Sequence, residues 1–374
     1  MSNVEAAIKN ACEATLGKPP KGIVLRPAET NDIPSMLDLL SSSDKAIQPR
    51  HGDSSSDKPK MNVIPEACRL EGVPNFYGLV VIKDATVVGF ATFYMAYSTW
   101  DATVLYLDKL FLLKDSSDRQ ALEWSLQFTL ADIALRLGCA RYTWQHFAPC
   151  PKYPSDTQPE VLDGWLTLYW NYDTTTYNKL NHAASWTAES DRNAINQCLR
   201  EKQQSNSSDL HIRLSTVDDL DHIERLVQGL AEFEKEPESV HVTKEHYRRD
   251  GFGQQSPLFH CLLLEDHSSS PPYVCGMAFT YFGHSFGQGR FLYLEDLYME
   301  EPYRGKGGGT MVMQTLQDIA QSTDCVRAVW QALDWNTPAL TFYNKIGAAV
   351  QEGLITSRFA GESLQKFYKE RKDY

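Results

Sequence analysis

The sequence predicts an α/β (α+β) protein made of two copies of one fold, each a mixed central sheet flanked by helices. Three observations carry this. The chain has 374 residues, too many for one ordinary domain and suited to two. Apolar strand-like runs alternate with segments whose apolar residues recur at helical spacing, the pattern of sheet-and-helix layers. The chain also repeats itself. VLYLDKL (104–110) parallels FLYLEDL (291–297), and RYTWQ (141–145) parallels RAVWQ (327–331). TYNKL (176–180) parallels FYNKI (342–346) at a shorter spacing, read as an insertion, PCPKYPSDTQPEVLDGW, before the first-half Tyr. Ile23-Val-Leu-Arg-Pro similarly echoes Ile212-Arg-Leu. A repeat of this length means two domains of one fold, since solenoid units are far shorter.

The elements follow in order. Residues 1–21 form a short helix or a loose arm, and 22–186 make the first domain, with a polar loop at 41–59. Residues 187–209 are polar and read as a linker, within which DRNAINQCLREK can form a short helix. The second domain spans 210–374. It opens with a strand at 211–214 and a helix at 218–235. That helix carries Leu220, Ile223, Leu226, Val227, Leu230 and Phe233 on one face, with Asp218 or Asp219 as its cap. Strands follow at Phe259–Glu265, Tyr273–Phe282 and Arg290–Met299. After a glycine loop come a helix, a strand Ala328–Leu333, a helix 337–345 and a closing strand pair within 348–370.

Composition excludes several classes. A net charge of −12 argues against nucleic acid, whose binders need a basic face, and is compatible with a cationic small substrate. No apolar run approaches a membrane span, and the N-terminus lacks a secretory pattern. The eight cysteines are scattered without CxxC pairs, and the histidines show no metal spacing. The expectation is a reduced, cytoplasmic protein with no metal.

The informative segment is RGKGGGT, residues 304–310, between an apolar strand and a helical run. Backbone N–H groups at a helix N-terminus hold phosphate well, and glycine lets a pyrophosphate approach. A flexible surface turn is the alternative. Leu333–Ala348 reads LDWNTPALTFYNKIGA. Together these segments resemble the GNAT superfamily of acetyl-CoA-dependent N-acetyltransferases, and within it the spermidine/spermine and thialysine acetyltransferases. R-x-x-G-x-G/A is met by Arg304, Gly307 and Gly309, and the likeness spans about 210–360. The chain then reads as tandem GNAT folds. The first is degenerate: its loop, KDSSDRQAL (114–122), has no glycine and carries Asp115 and Asp118, and Glu295-Asp296 become Asp108-Lys109.

The resemblance implies acetyl-CoA as co-substrate. It implies binding by Arg304, Gly305, Lys306, Gly307, Gly308, Gly309 and Thr310, with Leu297 and Met299 pairing to the pantetheine arm and Asn336, Tyr343 and Lys345 as further contacts. Asn336 as a helix cap and Lys345 as a solvated lysine are the alternatives. Tyr343 is the implied general acid, a phenol protonated at neutral pH. Glu295 is the implied base and Asp296 an acceptor-binding acid. Adjacent strand residues face opposite ways, so the two should part unless the strand bulges. Glu234 contacts the amine's distal charge, or is one acid of a charged helix end.

Ser285 stands where polyamine acetylases carry an acid, which leaves open thialysine, lysine-like amino acids or a short diamine. AYSTW (96–100) of the first half looks more like the thialysine relative. Family members are homodimers, so the two halves are expected to form an intramolecular pseudo-dimer. Two other functions stay open: a protein lysine or N-terminal acetyltransferase, and a non-catalytic acetyl-CoA-binding regulator.

Overall fold

A computed structural model describes residues 3–15, 22–42, 76–113, 119–147, 157–172, 186–205, 208–253 and 257–370. The charged stretch Asp115–Asp118, most of the 41–59 loop and the TYNKL segment lie outside them. Fourteen strands appear among the described residues: β1 Ile23–Pro27, β2 Phe76–Lys83, β3 Thr86–Ser98, β4 Ala102–Leu112, β5 Arg141–Phe147, β6 Glu160–Val161, β7 Trp165–Asn171, β8 Leu210–Leu214, β9 His260–Asp266, β10 Tyr273–Ser285, β11 Gly289–Met299, β12 Arg327–Leu333, β13 Ala349–Val350 and β14 Leu354–Ala360. They form two mixed seven-stranded sheets, ordered β1-β2-β3-β4-β5-β14-β6 and β13-β7-β12-β11-β10-β9-β8. The α/β expectation of two helix-flanked sheets is what the structure has.

The two sheets exchange strands. β14, near the C-terminus, lies antiparallel to β5, with Leu354 opposite Phe147 and Ala360 opposite Arg141. β7, from the first half, lies antiparallel to β12, with Trp165 opposite Leu333 and Asn171 opposite Arg327. The short strands β6 and β13 stay with the other sheet in each case. Where they meet, Gln145 and Gln331 each donate to the hydroxyls of both Thr167 and Thr356, at 2.9–3.4 Å.

The exchange corrects the third repeat pairing. β6–β7 takes the place in the first half that β13–β14 takes in the second. TYNKL therefore follows the exchanged strand, whereas FYNKI precedes it. The supposed insertion, 149–165, carries β6 and runs into the first residue of the exchanged strand β7.

Both arms of the chain are helical. Helix Asn3–Thr15 packs on β1 and helix Arg119–Arg136, and helix Ala188–Ser205 packs on β8 and helix Gly308–Ser322. The second helix is pinned by a buried pair: Arg290 donates to both oxygens of Asp191, at 2.9 and 2.6 Å. Helix Leu220–Glu234 buries Leu220, Ile223, Leu226, Val227 and Leu230, the expected stripe. Its entry is capped by Thr216, which donates to Asp219 from its backbone N–H at 2.7 Å.

Between the sheets lies a shared aromatic core. Tyr94 meets Phe291 with ring centroids 5.5 Å apart, Phe90 meets Phe286 at 5.5 Å and Tyr97 meets Phe259 at 4.6 Å. Aromatic burial of this kind dominates packing energy. It fixes one half firmly against the other.

Candidate active site

The glycine loop starts helix Gly308–Ser322. Gly305 and Gly307 hold φ of +75° and +90°, a left-handed backbone that side chains resist. A Cβ at either would meet nothing within 4 Å, so the concave side of the loop is open. The first helical bond runs from Met311 N–H to Gly307 O at 3.0 Å. The N–H groups of Gly308, Gly309 and Thr310 thus precede the ladder and sit at the positive helix end. A Cβ on Gly308 would fall 2.8 Å from Leu264 and 2.9 Å from Met299, so glycine also lets the helix start rest on the sheet. Arg304 Nε donates to Met299 O at 2.8 Å, tying the loop to the strand end, and stacks over Phe233 at 4.8 Å. Lys306 lies over the Tyr303 ring at 5.2 Å.

Strands β11 and β12 part just before this loop. Their parallel pairing runs from Phe291↔Arg327 to Leu294↔Trp330 and stops. β11 continues to Met299, still paired to β10 through Ala278↔Leu297 and Gly276↔Met299. Its other edge, from Glu295 to Met299, has no strand partner among the described residues. An open edge can take up an amide-bearing chain by strand addition. The loop and this edge together fit a long pyrophosphate-and-amide co-substrate.

At the parting point β11 bulges. Phe279 opposes Asp296 and Thr280 opposes Leu294, leaving Glu295 as the extra residue. A bulge turns neighbouring side chains to one side. Glu295 and Asp296 both line a cavity of about 640 Å³ between the two halves, together with Glu234 at the end of helix Leu220–Glu234. Burial, reinforced by Asp296, holds the Glu295 carboxyl above the usual range, with Arg141 pulling the other way. Burial also raises Asp296, against the Thr99 hydroxyl and Arg141. Glu234 is pushed up to about 8 by burial, with Asp296 and Glu236 adding to it. Three acids with raised affinity for protons thus line one cavity.

Tyr343 is 7% exposed on helix Thr337–Lys345, its ring 5.3 Å from Trp330. Burial, then Asp296 and Glu234, lift its phenol well above the usual range, so it stays protonated at neutral pH. Asn336 acts as the helix cap, its Oδ1 accepting from Ala339 N–H at 3.3 Å. Lys345 is exposed at the end of the same helix.

Ser285 is not in this cavity. It is 1% exposed and donates to Asp108 of the first half at 2.7 Å, while Lys109 Nζ lies 3.3 Å from its hydroxyl. The next residue, Phe286, is fully buried and donates its N–H to Asp108 at 2.8 Å. β4 bulges as β11 does, with Thr92 opposing Lys109 and Phe93 opposing Leu107. In the first half this turn packs against Asp108 and Lys109, which stand where Glu295 and Asp296 stand in the second.

The reciprocal turn of the first half, Ser98-Thr99-Trp100-Asp101, lines the second-half cavity. Thr99 donates to Asp296, and Ser98 hydrogen-bonds Glu295. These residues were missed as site residues. Their one trace in the sequence was AYSTW, matching a relative in the wrong half.

Among the described residues, no group of His, Cys, Asp and Glu is placed to hold a metal, and no helix is long and apolar enough to cross a membrane.

The acetyltransferase (GNAT) family matches residues 223–348. Thialysine N-epsilon-acetyltransferase of Bos taurus is 36% identical over 162 residues, covering 41% of this chain and 95% of that protein. The Mus musculus protein of the same name is also 36% identical, with the same coverage. Spermidine/spermine N(1)-acetyltransferase-like protein 1 of Homo sapiens is 32% identical over 168 residues, covering 43% of this chain and 24% of that protein.

Proposed function

The chain belongs to the GNAT acetyltransferase family, and from that premise we propose that it transfers the acetyl group of acetyl-CoA to the primary amine of a small cationic acceptor. The family supplies the reaction; the acid cavity supplies the acceptor class. Acetyl-CoA, when bound, provides an acetyl group activated as a thioester.

The loop Arg304–Thr310 holds the co-substrate's pyrophosphate through its N–H groups, and the open edge of β11 at Leu297 and Met299 pairs with its amide arm. Asn336 and Lys345, at the two ends of helix Thr337–Lys345, serve as further contacts to the co-substrate. Glu234 and Asp296 hold the ammonium. Glu295 takes the amine's proton, leaving a lone pair that attacks the acetyl carbon. As the C–S bond breaks, Tyr343 gives its proton to the departing sulfur. The first half acts as scaffold and second wall, in a dimer-like arrangement within one chain. The strand exchange and the shared aromatic core support that reading.

The observation that carries the reading is the bulge, which turns Glu295 and Asp296 into one cavity at the point where β11 and β12 part. A panel of diamines, amino acids and peptides, followed by thiol release from acetyl-CoA, tests it. Turnover restricted to small amines is expected. Turnover with peptides alone would overturn the small-acceptor reading.

A further inference from the structure

Both acids at the β11 bulge meet hydroxyls of the other half. Thr99 Oγ1 donates to Asp296 Oδ2, and the Ser98 hydroxyl bonds Glu295. Both hydroxyl residues are buried where the first half lines the cavity. Ser98 Oγ already accepts the N–H groups of Trp100 and Asp101, each at 3.3 Å. A hydroxyl has two lone pairs and one proton, so Ser98 has only its proton left for Glu295. Donors of this kind favour a carboxylate over a carboxylic acid, and so oppose the burial that raises both acids.

The segment that carries these hydroxyls is itself gripped by the second half. Tyr247, at the end of helix Lys244–Tyr247, is buried and donates its phenol O–H to Thr99 O at 2.8 Å. His241 donates its backbone N–H to Trp100 O at 2.9 Å. The Tyr247 ring also packs against Phe279, centroids 5.9 Å apart, and Phe279 is the residue opposite Asp296 across β10 and β11. One side chain thus braces both the backbone of Thr99 and the strand position facing Asp296. Two cross-half bonds on successive carbonyls remove the freedom that would let the Thr99 hydroxyl drift off the carboxylate.

Resting on the acetyl-transfer reading, we infer that Ser98, Thr99 and Tyr247 are positioning residues for its proton transfer. Ser98 and Thr99 of the first half hold the two acids, and Tyr247 of the second half holds Thr99. The path leaves the second half at Tyr247, crosses the first at Thr99 and returns at Asp296. The other charged groups about the acids are Glu234 on helix Leu220–Glu234, Arg141 on β5, and Asp101 with His241 beside it. The nearby phenols of Tyr247, Tyr293 and Tyr343 are raised by burial and stay protonated. All of these are common to wild type and the Thr99 variants, so a difference between them reports the Thr99 bond.

The test uses the full-length protein, acetyl-CoA and the fastest acceptor among L-lysine, 1,3-diaminopropane and 1,5-diaminopentane. Thr99→Val should lower kcat by roughly tenfold or more with little change in the KM for acetyl-CoA, and Thr99→Ser should restore most of it. Tyr247→Phe should lower kcat severalfold in wild type and not further in the Thr99→Val background, because it acts through the bond that this background lacks. A merely structural tyrosine would cost the same in both. A second measurement needs no turnover. Thr99 supports the ionised form of Asp296, so Thr99→Val should lower the melting temperature more at pH 8, where the carboxylate is ionised, than at pH 5, where burial keeps it protonated. Should Thr99→Val fail to fold, Thr99→Ala takes its place in both measurements. An unchanged kcat, equal Tyr247→Phe losses in the two backgrounds, or a melting loss no larger at pH 8 overturns the inference and leaves acetyl transfer standing. Absence of turnover with every amine, despite acetyl-CoA binding, counts instead against the acetyl-transfer reading, and the melting comparison then decides whether Thr99 supports Asp296.

Discussion

Glu234 shows how burial turns a surface-type residue into a proton-holding one. Its carboxyl is pushed up to about 8 from an ordinary 4.5. Between those values the folded state binds more protons than the unfolded, so stability falls as pH rises through that window. Glu234→Gln should therefore raise the melting temperature more at pH 8 than at pH 5, measured by differential scanning calorimetry. A larger gain at pH 5 would show that the shift has the other sign. Tyr343→Phe removes the proton donor without changing volume. It should lower kcat by roughly 10²-fold with little change in the KM for acetyl-CoA. An unaltered kcat would remove Tyr343 from the chemistry. At this scale the sequence was partly legible. The family resemblance singled out Glu295, Asp296 and Tyr343, and the structure places the two acids on one cavity. Period-two reasoning sent Glu295 and Asp296 to opposite faces unless the strand bulged, and only the pairing across β10 shows that it does. Ser285 was misplaced because sequence position does not say which half a turn leans on.

The glycine loop, its helix and the parted strands form one device. Gly307 at φ +90° caps helix Gly308–Ser322, and the open edge of β11 leads to it. Gly307→Val forces a branched residue into the left-handed region, at a cost of about 1–2 kcal/mol. Its side chain would also project into the open concavity. Acetyl-CoA affinity should fall at least tenfold by calorimetry, with a smaller loss in thermal stability. Unchanged affinity would mean that the pyrophosphate lies elsewhere. The strands and helices of the second half were legible because each carries its own apolar period. The destinations of β7 and β14 were not, since alternation shows that a strand has a buried face and says nothing about which sheet buries it. The short FYNKI-like echo at 176–180 then misled, because three shared residues outweigh neither chain order nor pairing.

Across the whole molecule the exchange makes each half dependent on the other. β12 needs β7 along its free edge, and β5 needs β14. Cutting the chain at 184/185 leaves each fragment holding a strand the other requires. The two fragments, co-expressed, should purify as a 1:1 complex with acetyltransferase activity, while the second alone should not behave as an active monomer in sedimentation. An active, monomeric fragment 185–374 would contradict the reciprocal arrangement. That the chain holds two helix-flanked mixed sheets was legible from the paired LYL segments; that both halves line one cavity was not, because its walls come from residues about 200 positions apart.

The turn at Ser98–Asp101 and the turn at Ser285–Phe286 occupy matching places and do different things: one lines a pocket, the other is bonded to a buried acid of the opposite half. In a symmetric pair of identical chains, any inherited change is copied into both places at once, and such a division of labour cannot arise. Once the two are encoded in tandem, each codon answers for a single position. One lobe is then free to change at a position that its sibling keeps.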